Sequence, residues 1–156
     1  MEVVIAKEEK LKDVEKVIER SILTTMSVYY PQCSLKYVIE SLSGENLKKR
    51  ASWTHLYVAK IDGKIVGCGG IGPYWGSETE SSLFNIFVDP DYQGQGIGKA
   101  IVKTLEQDEF ALRAKRIEIP ASITGIPFYR KLGYEFKNQE LIYDDGNFKL
   151  EKFFDR

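Results

Sequence analysis

The stretch Ile86–Lys99 reads IFVDPDYQGQGIGK, and its reading decides the rest. An apolar run from Leu83 to Val88 stops at Asp89-Pro90. A glycine-dense turn follows, Gln93-Gly94-Gln95-Gly96-Ile97-Gly98, and a helical pattern takes over at Lys99. Strand, glycine loop and helix in that order aim bare backbone N–H groups at an anion. The first amides of a helix have no intrahelical acceptor, and the helix dipole adds about half an elementary positive charge at that end. Glycine at Gly94, Gly96 and Gly98 leaves no side chain to hold a phosphate away from the main chain. The turn reads as a pyrophosphate cradle.

Two familiar phosphate loops fail on spacing. A P-loop needs four residues between its first Gly and Gly-Lys, then Ser or Thr for magnesium. Here Gly94 and Gly98 bracket three residues and Ala100 follows Lys99. The dinucleotide fingerprint GxGxxG would need a third Gly where Lys99 stands.

The turn instead resembles the Gln/Arg-x-x-Gly-x-Gly/Ala signature of the GCN5-related N-acetyltransferases, the GNAT superfamily. Gln93, Gly96 and Gly98 fill its fixed places, and Val88-Asp89-Pro90 supplies the Val-x-Pro that precedes it. A second segment, Ser122 to Tyr134 (SITGIPFYRKLGY), resembles the family's helix ending in FY-x-K-x-G-F/Y. The resemblance covers about Leu56 to Tyr134. It implies one N-acetyltransferase domain over 1–156 with an α/β (α+β) fold. That fold is a mixed, mostly antiparallel sheet of six to seven strands, flanked by helices, with its central parallel strands splayed.

The same resemblance assigns roles. Gln93, Gly94, Gln95, Gly96, Ile97, Gly98 and Lys99 would hold the pyrophosphate of acetyl-CoA, the co-substrate, without a metal. Ile86, Phe87 and Val88 would line the pantetheine arm, and a main-chain N–H near Phe87 or Val88 would face the oxyanion. Phe128 and Ser122 belong to the same cofactor set, Ser122 standing where many members carry Asn. Tyr129 takes the family's tyrosine position as acid to the departing sulfur. The base is less directly marked, because Ser82 occupies the place where many relatives carry Glu. Glu80 lies two residues upstream and shares that face on a strand, so it is the candidate base, with Glu78 the alternative. Lys99 and Lys103, four apart on one helix face, either meet the 3′-phosphate or are simply solvated.

Composition bounds the other classes. The chain has 156 residues and a net charge of −1, which offers no general attraction to nucleic acid or an anionic membrane. No apolar run approaches the roughly 20 residues of a membrane span, and the amino terminus lacks a signal-peptide pattern. Cys33 and Cys68 sit in unlike contexts and read as free thiols of a cytoplasmic protein. With His55 the sole histidine, no metal site is expected.

The remaining elements follow from periodicity. Met1–Ala6 reads as a first strand. Leu11, Val14, Ile18, Ile22 and Met26 give one helix over Glu8 to Met26, and a second starts at Pro31 with Leu35, Val38, Ile39 and Leu42 inward and ends near Gly44. Leu56–Ile61 and Lys64–Ile71 form a hairpin about Asp62-Gly63. Gly67, Gly69 and Gly70 leave the second of these strands without cover, which marks a bulge or a close approach. On the central strand, Leu83, Asn85 and Phe87 share one face, with Phe84, Ile86 and Val88 on the other. A helix runs from Ile97 to Phe110. Ile117–Ile119 is a strand that Pro120 helps to part from its neighbour. Pro127 puts the next helix cap at Thr124 or later. A hairpin of Tyr134–Tyr143 and Phe148–Phe154 closes the chain.

The resemblance implies a small-molecule or peptide amine as acceptor. In the superfamily the segment joining the first two helices lines the acceptor pocket, so Tyr29 and Tyr30 either touch the acceptor or pack beneath the loop. Trp75, with Tyr74, Trp53 and the two glutamates, would give an aromatic, acidic mouth suited to a cation. Strand edges near the carboxyl end are compatible with a homodimer. The competing reading is a non-catalytic acyl-CoA-binding or regulatory module on the same fold, suggested by Ser82 and Ser122.

Overall fold

The computed structural model describes residues 1–141, 143–144 and 147–155. The chain forms two compact units, Met1–Gly70 with Asn85–Leu105, and Ile71–Phe84 with Glu106–Arg156. β3 (Lys64–Pro73) and β4 (Glu80–Val88) each contribute residues to both.

In the first unit, β1 (Glu2–Ile5) pairs antiparallel with β2 (His55–Ile61), Glu2 opposite Lys60. The expected first helix is α1 (Leu11–Thr25), which buries Val14, Val17, Ile18 and Ile22. α2 (Gln32–Ser41) starts behind Pro31 and buries Leu35. Together with Leu56, Val58, Ile65 and Cys68 these residues make one apolar cluster. A third helix, α3 (Gly44–Trp53), was not expected. Its one buried residue is Leu47, which leaves no apolar period to read. The Glu15 carboxylate accepts the N–H of Gly44 and starts this helix where the second was expected only to end. β2 and β3 turn at Asp62 and Gly63, both at positive φ (52° and 79°), as a tight hairpin requires.

The bare stretch of β3 proves to be a seat for a helix. α4 (Ile97–Leu105) buries Ile97, Ile101, Val102 and Leu105. A Cβ on Gly69 would lie 2.5 Å from Ile101 Cγ2, and one on Gly67 would lie 2.9 Å from Ile101 Cδ1. The helix ends at Leu105 rather than at Phe110. The Asp108 carboxylate accepts the Phe110 N–H at 2.9 Å and caps a separate short helix, α5 (Glu109–Leu112).

β4 starts at Glu80, earlier than its apolar run suggested, and does not alternate as expected. Asn85 sits at φ 55°, so the strand kinks there, and Leu83, Phe84 and Asn85 are buried in succession. Asparagine is among the few residues that tolerate this region. Its Nδ2 is buried with no protein acceptor.

In the second unit, β5 (Arg116–Ala121) runs parallel to β4 over Glu80↔Arg116, Ser81↔Ile117 and Ser82↔Glu118, and the ladder stops there. Pro120, two residues further along β5, has no N–H to extend it. On its other edge β5 pairs antiparallel with β8 (Asn147–Phe153), from Arg116↔Phe153 to Ala121↔Phe148. α6 (Ile126–Lys131) has Gly125 as its cap and Pro127 in its first turn, as the proline demanded. The strand expected over Tyr134–Tyr143 is broken into β6 (Glu135–Phe136) and β7 (Tyr143–Asp144), both on β8. Asn138 and Gln139, at φ 55° and 60°, make the turn that separates them. Of the closing turn, Asp145 and Gly146 lie outside the described residues. The sheet is mixed, largely antiparallel and flanked by helices, as expected. No helix among the described residues is long and apolar enough to cross a membrane.

Charge ties β4, β5 and β8 together. Arg116 donates to Glu151 at 2.7 Å and Glu80 at 3.3 Å, and also to Glu118. Lys137 reaches Glu118 at 2.9 Å. Burial works against the Arg116 charge, but its hydrogen bonds to Glu151 and Glu118 outweigh that and raise its pKa. Burial likewise opposes ionisation of Glu151. The hydrogen bonds from Arg116 and the Asn138 N–H win, holding its carboxyl below the usual range.

Two outcomes follow from this packing. Gly69→Ala drives a methyl into the stiff β-branched Ile101 and should lower unfolding free energy by about 1–3 kcal/mol in a urea titration. Gly67→Ala meets the terminal Ile101 methyl at 2.9 Å, with Ile97 Cγ2 at 3.2 Å and the Phe87 carbonyl at 3.3 Å, and should cost less. Glu151→Gln should be less stable than the wild type at neutral pH. A depressed carboxyl contributes stability above its unfolded pKa of about 4.3 and loses it as pH falls through the folded value. The gap between the two proteins should therefore close in acid unfolding curves below about pH 4.

Candidate functional site

In the first unit the stretch expected to form a cradle is one continuous piece of chain. β4 delivers Ile86, Phe87 and Val88, and Asp89 turns the chain by accepting the Asp91 N–H at 2.9 Å. The 3₁₀ turn Pro90–Tyr92 leads into Gln93, whose side-chain amide donates to the Val88 carbonyl at 3.4 Å. Gly94 and Gly96 follow at φ 79° and 80°, a region costly for any residue with a Cβ. Around both positions a Cβ would meet nothing within 4 Å, so the loop is open above its backbone. Gln93, Gly94, Gln95 and Gly96 are exposed, while Ile97 is buried and anchors α4. The first helical bond there runs from the Ala100 N–H to the Gly96 carbonyl at 3.0 Å, so the N–H groups ahead of it belong to an open helix end. Gly98 lies in the first turn of α4, and Lys99 and Lys103 are exposed on that helix.

The α1–α2 segment is also in this unit. Tyr30 lines a pocket of about 320 Å³ with Leu23, Ser27, Gln32 and Leu35, whereas Tyr29 is exposed and does not line it. The lining carries no charge. Cys68 is no nucleophile: its buried thiol donates to the Asn85 carbonyl at 3.1 Å, and burial pushes its pKa up to about 12. Cys33 and Cys68 are both free thiols.

The second unit holds Tyr129, Phe128, Ser122, Glu80 and Trp75. Tyr129 on α6 is 8% exposed. Its ring packs edge-on against Phe128 at 5.1 Å and Tyr134 at 6.4 Å, and a Cβ on Gly125 would lie 3.0 Å from it. The absent side chain at Gly125 lets the ring settle against the backbone. Ser122 Oγ pairs with Thr124 Oγ1 at 3.0 Å. Tyr134 is different in kind. Its hydroxyl donates to Glu106 at 2.9 Å, and burial followed by the Glu106 charge raises its pKa far above the ordinary phenol. Lys152 closes that contact at 3.0 Å from the same carboxylate oxygen.

Glu80 faces Arg116, and its side chain is 36% exposed. Glu78 is exposed. Trp75 is 90% exposed at φ 47°, and Tyr74 turns inward over Arg116 and Lys137 instead. The residue that sequence reading missed is Glu118. The ladder sets it directly opposite Ser82, so a carboxylate stands across the strand pair from the serine. Only the register carries that signal, and the register was not legible in the chain.

Comparison with known proteins identifies the family. The family model described as an acetyltransferase (GNAT) domain matches residues 52–136, more than half of the chain. Glucosamine 6-phosphate N-acetyltransferase of Trypanosoma brucei brucei is 26% identical over 111 residues, covering 68% of this chain and 76% of the relative. The [ribosomal protein bS18]-alanine N-acetyltransferase of Escherichia coli (strain K12) is 41% identical over 58 residues, 35% of this chain and 39% of the relative. The structure of PaiA N-acetyltransferase from Thermoplasma acidophilum in complex with coenzyme A superposes with a TM-score of 0.81. It is 20% identical, and the match covers 99% of this chain and 100% of that one, a likeness of fold. With both motifs in order, the sheet as expected and the family model spanning its centre, the chain belongs to the GNAT family of N-acetyltransferases.

Proposed function

We propose that residues 1–156 act as one domain that transfers the acetyl group of acetyl-CoA to a primary amine by direct attack on the thioester. The observation that carries this reading is the open loop at Gly94 and Gly96. Two residues at positive φ, with nothing over them, present main-chain donors at the start of α4. Gln93 to Lys99 hold the pyrophosphate, and Ile86, Phe87 and Val88 accept the pantetheine arm. Ser122 and Phe128 contribute further contacts to the cofactor.

The amine nitrogen attacks the carbonyl carbon, the C–S bond breaks, and the ammonium proton leaves to a base. Tyr129 gives its hydroxyl proton to the departing thiolate and regains one from solvent. A phenol near pKa 10 facing a thiol near 8.5 makes this hydrogen bond as important as complete transfer. Tyr134, the other tyrosine of the motif, is held by Glu106 and is unsuited to the task. Glu80 is the proton acceptor, directly or through water, because it has a solvent face. Its position opposite Ser82 makes Glu118 a second claimant, although Arg116 and Lys137 both hold it.

The acceptor enters by the α1–α2 segment, with Tyr30 in its uncharged pocket and Tyr29 at the rim. Trp75 offers an aromatic face for a cation. The relatives' names give glucosamine 6-phosphate and an alanine of a ribosomal protein as acceptors, so the acceptor is proposed at the level of a small-molecule or peptide amine.

Thiol release from acetyl-CoA against an amine panel tests the reading. Tyr129→Phe should lower kcat about tenfold to a hundredfold with the KM for acetyl-CoA nearly unchanged. Glu80→Gln should lower kcat and move the acid limb of the pH profile. If Glu118→Gln alone moves it, the base is Glu118. Binding of CoA with no thiol release for any amine would favour the non-catalytic module.

A further inference from the structure

The turn that feeds the glycine loop is gripped from outside its own motif. Arg20, on the third turn of α1, donates through Nη2 to Asp89 Oδ1 at 3.3 Å and to Asp91 Oδ2 at 2.9 Å. Asp89 is the joint of this turn. Its side chain is 6% exposed and accepts the Asp91 N–H, its own N–H donates to the Val66 carbonyl at 2.8 Å, and its carbonyl accepts the Tyr92 N–H at 2.9 Å. Lys64, at the start of β3, lies 5.2 Å from the centre of the Tyr92 ring. Two elements, α1 and β3, therefore fix the four residues between the last strand residue and Gln93. α1 is itself immobilised, since Val17, Ile18 and Ile22 around Arg20 are in the apolar cluster.

We infer that Arg20 is a positioning residue for the pyrophosphate loop, acting through Asp89 and Asp91 rather than on the ligand. The inference rests on the reading that this loop binds CoA. Glycines at Gly94 and Gly96 give the loop no side-chain packing of its own, so the direction of its amides is inherited from where the chain leaves Asp89–Tyr92. A guanidinium forked across two carboxylates fixes that exit more firmly than an ammonium on one, because its donors are set in a plane. The buried partner Asp89 makes the contact stronger than a wholly exposed pair, even though Arg20 is 51% and Asp91 70% exposed.

Calorimetric titration of CoA into the full chain tests this, with steady-state kinetics beside it. Arg20→Met, which keeps the aliphatic stem, should weaken CoA binding about threefold to fivefold, the scale of one well-placed ion pair. The KM for acetyl-CoA should rise by the same factor while kcat and the acceptor KM hold. Arg20→Lys should recover part of the loss. Asp91→Asn should weaken binding about twofold, and Arg20→Met/Asp91→Asn should be no worse than Arg20→Met alone, because both act through one contact. Wild-type affinity in Arg20→Met overturns the inference, as does a double variant whose loss is the product of the singles. Should Arg20→Met fail to fold, unchanged affinity in Asp91→Asn overturns it. If the wild type itself binds no CoA, the acetyl-transfer reading falls and takes this inference with it. Equal binding by wild type and variants removes the inference alone.

Discussion

The close seating of α4 on β3 is the constraint on which the glycine loop depends. Ile101 occupies the space that side chains at Gly67 and Gly69 would fill, so the helix axis is set by backbone rather than by interdigitated side chains. A helix held this closely has its amino terminus fixed in depth as well as direction. Ile97, buried at the first position, then pins the end that bears the unpaired amides. The loop ahead of it can be nothing but main chain and still present a defined surface, because both of its ends are fixed. The glycines of β3 and those of the loop thus serve opposite purposes. The first pair admits a packed neighbour, and the second takes positive φ with open space around it.

Electrostatics divides along similar lines. Around Arg116, several carboxylates share a cation inside the sheet, and burial opposes every charge in the set. Such a cluster is worth more as a register lock than as stabilisation, since a slip of one residue on β5 would send Arg116 to the other face. Arg20 instead joins a helix to a turn at the surface and orders a few residues only. One arrangement specifies the sheet, while the other trims the direction of a loop.

The chain declared the β2–β3 hairpin, the glycine turn and the start of α6 because each rests on local rules. Asp62-Gly63 can hardly be anything but a tight turn, and Gly94, Gly96 and Pro127 each forbid most alternatives. What it concealed depended on partners remote in sequence. α3 has a single buried residue, Leu47, and is started by a carboxylate contributed from α1, so nothing local marks it. The kink at Asn85 looks from the sequence like ordinary alternation, because asparagine is permitted there without being demanded. Glu118 reads as one acid on an apolar strand, and only pairing with β4 sets it across from Ser82. In the candidate site, then, the loop was legible through its own backbone needs. The carboxylates were not, because their meaning is set by register.

The two tyrosines of the second motif show why a motif alone leaves a role undecided. Tyr129 and Tyr134 lie 6.4 Å apart, centre to centre, and both are buried, so neither spacing nor exposure separates them. Tyr134 donates its hydroxyl proton to Glu106, beside Lys152, and burial followed by the Glu106 charge makes that phenol hard to ionise. Its ring also forms one wall for Tyr129, with Phe128 and the bare backbone of Gly125 as the others. A ring walled on several sides is held in one orientation, so Tyr134 shapes the place in which Tyr129 sits, and the pair has to be considered together.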